Sequence, residues 1–126
     1  LNQRLNELIR SPQSSVAKGN GMGSRVGALA GANVEGLPIL LTECGGVGYG
    51  RFSESDFSYG DLPETEVLLQ EAIQEIAKMI RAAPKLQGFV WTQLTDVQQE
   101  VNGLLYFDRT PKLPIETLHE IISSIG

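Results

Sequence analysis

Leu37-Pro-Ile-Leu-Leu-Thr42 is a short, continuous apolar run, and its reading decides the fold of the chain. It lacks the apolar–polar alternation of a strand with one wet face, so it fits a strand covered on both sides, as in a parallel sheet. Pro38 stands near its start, where a missing N–H is tolerated. A second strand candidate follows at Leu86-Gln-Gly-Phe-Val-Trp91. Between the two, Asp61-Leu-Pro-Glu64 offers a helix start: an acceptor side chain, an early Pro, and acids that complement the helix dipole. The helix runs to about Ala83, with Leu69, Ile73, Ile76 and Ile80 on one face, flanked by Leu68, Ala72 and Ala77. Arg81 adds a late positive charge and Pro84 marks the stop. Two strands joined through one long helix are expected to be parallel, with a right-handed crossover.

Beyond Trp91 the chain is polar from Thr92 to Asn102, then brings Leu104-Leu-Tyr-Phe107 and a turn at Thr110-Pro-Lys112. Pro114 to Ile125 closes as a helix, with Leu118, Ile121, Ile122 and Ile125 as its buried stripe. Upstream, Leu1 to Arg10 places Leu1, Leu5, Leu8 and Ile9 on one helical face, and Ser11-Pro12 stops it. Ser11 to Gly36 shows no periodicity. All of the 14 glycines except Gly88, Gly103 and Gly126 lie between Gly19 and Gly60, so that stretch should be mostly loop.

The whole chain has 126 residues, 10 Lys and Arg against 15 Asp and Glu, and a net charge of −5. That acidic balance lacks the basic footprint of a nucleic-acid binder. No apolar run approaches the roughly 20 residues that cross a bilayer, and the polar first ten residues do not resemble a signal peptide. Cys44 is the one cysteine and His119 the one histidine. An internal disulfide framework and a Cys- or His-rich metal site are therefore excluded. The expected setting is a soluble protein of a reducing, bacterial cytoplasm.

In a parallel α/β sheet, function collects at the carboxyl ends of the strands. The first strand ends in Thr42-Glu43-Cys44-Gly45-Gly46 and the second in Trp91-Thr92-Gln93. A carboxylate there can act as nucleophile, base or ligand, and a Trp can stack on the apolar face of a sugar. The plain alternative is a Glu that satisfies loop amides and a Trp that fills core. Gly45 and Gly46 leave space beside the carboxylate. Asp96 and Asn102 lie in the donor-rich stretch after Trp91, which reads either as a solvated loop or as a polyol-binding segment. Cys44 has no activating partner nearby in sequence and reads as a small buried thiol. Neither Gly19-Asn-Gly21-Met-Gly23 nor Gly46-Val-Gly48-Tyr-Gly50 completes a dinucleotide or phosphate-loop motif.

Taken together, Pro38-Ile-Leu-Leu-Thr-Glu43-Cys-Gly-Gly46, Gly88-Phe-Val-Trp91, Asn102-Gly103 and Asp108-Arg-Thr-Pro-Lys112 closely resemble the end of the catalytic barrel in glycoside hydrolase family 2. The resemblance runs from about Leu37 to Ile125. It implies a partial (β/α)8 TIM barrel, with residues 37–42 as the seventh strand and residues 86–91 as the eighth, preceded by a helix and loop over residues 1–36. It also implies retaining hydrolysis by two glutamates, with Glu43 as nucleophile and Trp91 shaping the sugar subsite. The family's acid/base sits in an Asn-Glu pair after the fourth strand. Asn6-Glu7 does not fit that place, so the acid/base lies outside this chain.

Three departures narrow the reading. Cys44 stands where the family usually has Tyr or Phe. An Asn-x-Lys motif for uronates is missing after Asn102, which favours neutral glycosides. Trp91-Thr-Gln differs from the Trp-Asp-Trp of well-known β-galactosidases.

Retaining chemistry needs two carboxyl groups about 5–5.5 Å apart. The expectation is thus a carboxy-terminal piece of a galactosidase-type β-glycosidase, inactive alone, needing no cofactor or metal. It acts on carbohydrate, with Glu43 catalytic and Trp91, Asp96 and Asn102 binding substrate. A complete barrel takes about 250 residues, so this length reads as roughly half of one. Unpaired strand edges in such a piece favour self-association. The competing class is a non-enzymatic sugar-binding or assembly module with a structural Glu43.

Overall fold

The computed structural model describes Asn33, residues 35–50 and residues 62–126. The helix expected at Leu1 to Arg10, most of the glycine-rich stretch after it, and Asp61 lie outside the described residues. The helix start expected over Asp61-Leu-Pro-Glu64 is shifted: residues 62–64 precede the helix, which begins at Glu66 behind the Thr65 cap.

Four elements follow in the expected order: β1 (Ile39–Gly45), α1 (Glu66–Arg81), β2 (Leu86–Thr92) and α2 (Ile115–Ser123). The strands pair in parallel. Ile39 faces Leu86, Leu40 faces Gly88 and Leu41 faces Phe89; after a register shift, Cys44 faces Trp91 and Gly45 faces Thr92. β1 begins two residues later than its apolar run and continues through Glu43 and Cys44, so the carboxylate belongs to the strand itself.

α1 opens at Thr65, whose hydroxyl oxygen accepts the Leu68 N–H at 3.2 Å. This satisfies one of the N–H groups a helix start leaves without an internal partner. Glu66 in the first turn and Lys78 and Arg81 in the last complement the dipole. The helix buries Leu69, Ile73, Ala77 and Ile80. Ala77 thus takes the place expected of Ile76, because the buried row advances by four residues from Leu69 to Ile73 to Ala77. α2 follows Pro114 with no side-chain cap and buries Leu118 and Ile121, while Ile122 and Ile125 are half-buried.

Leu69, Ile73 and Ala77 of α1 meet Leu113, Leu118 and Ile121 in one core cluster. Val47 and Tyr49 from the loop after β1, Trp91 of β2, Leu104 and Leu105, and Ile125 pack against it. The core therefore lies where the helices meet the segments leaving the strands.

The expectation of a partial (β/α)8 barrel is overturned. The described residues form a small α/β domain of two helices and a sheet of two parallel strands, each with a single partner. A barrel needs eight strands closed into a ring, every edge paired. Alternation of strand and helix is a property of one βαβ unit and does not specify that closure. The strand expected to be covered on both faces is also half open: Leu40 is 59% exposed on β1 and Val90 56% on β2. Among the described residues no second layer lies over that side, so the apolar run is not enclosed by them. The length consequently no longer reads as half of a barrel.

Candidate functional site

Parallel pairing brings the carboxyl ends of β1 and β2 side by side, and the register sets Cys44 against Trp91. Gly45 has φ +94°, and a Cβ there would lie 2.6 Å from Trp91 Cε2 and Nε1. The indole thus rests on the Gly45 backbone, and the space expected at that glycine is filled by the ring. Glu43, two residues earlier, is exposed. Trp91 is half-buried, packs on the core cluster, and its Nε1 has no hydrogen-bond partner. The ring therefore serves packing and borders the strand ends at once.

The stretch after Trp91 is not a solvated loop. Gln93 O accepts the Leu104 N–H at 3.1 Å, Leu94 O accepts the Leu105 N–H at 2.9 Å, and Leu105 O accepts the Asp96 N–H at 3.0 Å. Val97 and Glu100 exchange N–H and C=O bonds around the tip. On the other side, Lys112 N–H bonds to Leu104 O at 3.1 Å. The loop after β1 joins through the Tyr49 N–H, which donates to Val101 O at 3.2 Å. A Cβ at Gly103 would strike the Asp96 backbone nitrogen and come within 2.6 Å of Leu105 O, so only glycine lets these backbones close.

Inside this fold-back lies an ion pair. Asp96 is 7% and Lys112 2% exposed. Lys112 Nζ donates to Asp96 Oδ1 at 2.7 Å and to Val101 O at 2.8 Å. The same Asp96 oxygen accepts the Gly103 N–H at 2.8 Å. Burial lowers the Lys112 pKa, while the hydrogen bond and charge of Asp96 work the other way. The ammonium also sits 5.4 Å from the centre of the Tyr106 ring, within cation–π range.

Asn102, enclosed by these bonds, is 1% exposed, and neither its Oδ1 nor its Nδ2 has a partner. Gln93 Nε2 is likewise buried and unpartnered. Buried polar atoms are normally hydrogen-bonded, so three such side chains around one pair of strand ends mark the spot.

The remaining titratable groups are quieter. The Cys44 thiol donates to Val90 O at 3.3 Å, and burial pushes its pKa up to about 11. His119 is exposed on α2, 3.4 Å from the Ser123 hydroxyl. Asp108, fully exposed, has its pKa lowered by hydrogen bonds from Thr110. Among the described residues, no group of His, Cys, Asp and Glu could hold a metal ion.

Glu43 lies within β1, one residue before Cys44, the register partner of Trp91, and Asn102 lies in the fold-back joined to both exit loops. Asp96 is turned inward onto Lys112 and Gly103. Sequence reasoning carried Lys112 only as the last residue of a motif and missed it as the partner of Asp96. Its signal was faint: a lysine between Pro111 and Leu113, ahead of an apolar helix. No family model and no curated protein matches the chain. Among the described residues, no helix is long and apolar enough to cross a membrane.

Proposed function

We propose that this chain supplies the nucleophile of a retaining β-glycosidase of galactosidase type, with Glu43 attacking the anomeric carbon. What supports this is an exposed carboxylate on β1, one residue from the register partner of Trp91 and near the carboxyl end of a parallel pair. In a double displacement, the Glu43 carboxylate forms the bond to the sugar as the aglycone leaves, protonated by an acid that residues outside this chain provide. Water then releases the sugar, activated by that same group as base. Trp91 borders the sugar and keeps bulk water away from the carboxylate. The likeness to glycoside hydrolase family 2 lies in residues 38–46, 88–91, 102–103 and 108–112.

Trapping the enzyme that contains this chain with a 2-fluoro β-galactoside should label Glu43. A label on any other residue overturns the assignment. Glu43→Gln should abolish turnover in the same enzyme; turnover left nearly intact would instead favour the non-enzymatic module with a structural glutamate. The 126 residues alone are expected to show no hydrolysis, because the family resemblance puts the acid/base outside them.

A further inference from the structure

We propose that the buried Asp96–Lys112 pair is a positioning device for Asn102, gripping the peptide groups on either side of it and presenting its amide to a ligand hydroxyl. The residue before Asn102 offers its carbonyl, and Val101 O accepts from Lys112 Nζ at 2.8 Å. The residue after offers its N–H, and Gly103 N donates to Asp96 Oδ1 at 2.8 Å. The 2.7 Å contact between Lys112 and Asp96 closes the bracket. Asn102 is thus held from both neighbours without its own side chain being used.

Three further observations fit this role. Val101 O also receives the Tyr49 N–H, and Gln93 O receives the Leu104 N–H, so the bracket is fixed to the exit loops of both strands. A buried ion pair is a poor device for stability alone, because desolvation offsets much of its attraction and apolar side chains can do as well. Asn102 itself is buried with both amide atoms unpartnered. Its amide offers one acceptor and two donors, the complement of a sugar hydroxyl. That choice of ligand rests on the glycosidase reading; the bracket does not.

The test uses the ¹⁵N-labelled chain, with the side-chain amide signal of Asn102 assigned by its loss in Asn102→Asp. The signal should be resolved and rigid in the native chain and should collapse toward the free-amide position in Lys112→Met, while the amides of Leu69, Ile73 and Leu118 stay in place. Should Lys112→Met fail to fold with Asp96 left unpaired, Asp96→Asn combined with Lys112→Met removes both charges and keeps an acceptor for Gly103. Lys78→Met, at the exposed pair with Glu75, serves as control and should leave the Asn102 signal unmoved. An unchanged Asn102 signal in the folded Lys112 variants overturns the proposal. Titrated methyl β-galactoside should bind the native chain at least tenfold more tightly than the folded variant; equal affinity overturns the positioning role. A native chain that binds no galactoside, yet whose Asn102 signal depends on Lys112, counts against the glycosidase reading and supports the bracket.

Discussion

At Gly103 the fold-back leaves no room for a methyl group. Because the obstacles are backbone atoms of Asp96, Thr95 and Leu105, they cannot swing aside as a side chain could. Gly103→Ala is expected to cost about 2–3 kcal/mol, in the range of overpacking strain, and to free the loop around Asn102. Urea denaturation measures the cost, and an unchanged midpoint would show that the segments separate easily. Cys44 invites a pH prediction. Its pKa rises from 9.0 to about 11 on folding through burial, so the folded state keeps a proton that the unfolded state loses between those values. The stability this thiol contributes is full below pH 9 and is lost as pH rises through about 11. Iodoacetamide should therefore react slowly with the native chain at pH 8, with a rate that climbs toward pH 11. A midpoint near an ordinary thiol value would mean that the burial is absent.

At the scale of the element, α1 shows which local signals carry weight. Thr65 caps a helix whose buried row faces the core, so Thr65→Ala should destabilise the domain by about 1 kcal/mol in thermal or urea melts. Lys78→Ala, which breaks an exposed pair with Glu75, should change stability by under about 0.5 kcal/mol. Equal effects would mean that α1 is held by its surface charges. Element order, parallel pairing and most of the buried stripes were legible in the sequence, because hydrophobic period and Pro punctuation are local signals. The cap was not: Asp61-Leu-Pro-Glu64 reads as the helix start, whereas Thr65 caps the helix, because an acceptor side chain, a Pro and nearby acids mark a start only to within a few residues. That Glu43 and Trp91 fall toward the carboxyl ends of two paired strands was legible from the apolar runs before them. The inward turn of Asp96 was not, because its partner Lys112 lies sixteen residues away and no spacing rule links an aspartate in one loop to a lysine in another.

On the scale of the whole molecule, the sequence resemblance carried the reading too far. Strand–helix alternation is equally compatible with a closed ring and with one open unit, and only pairing partners distinguish them. Those partners are few: among the described residues each strand has one neighbour, and Leu37, Leu40, Val90 and Leu94 are all exposed. Unpaired N–H and C=O groups along an edge are a template for another strand, and an apolar face beside that edge adds a hydrophobic gain when it is covered. The net charge of −5 opposes association only at long range and is screened by physiological salt. The chain on its own is accordingly expected to self-associate, with the apparent mass in light scattering rising with concentration and with salt. Leu40→Lys and Val90→Lys place charges on the exposed side of the two strands, where they should lower the apparent mass without lowering the melting temperature by more than a few degrees. A native chain that stays monomeric at every concentration and salt level would show that the open strands are not sticky, and the association prediction would fail.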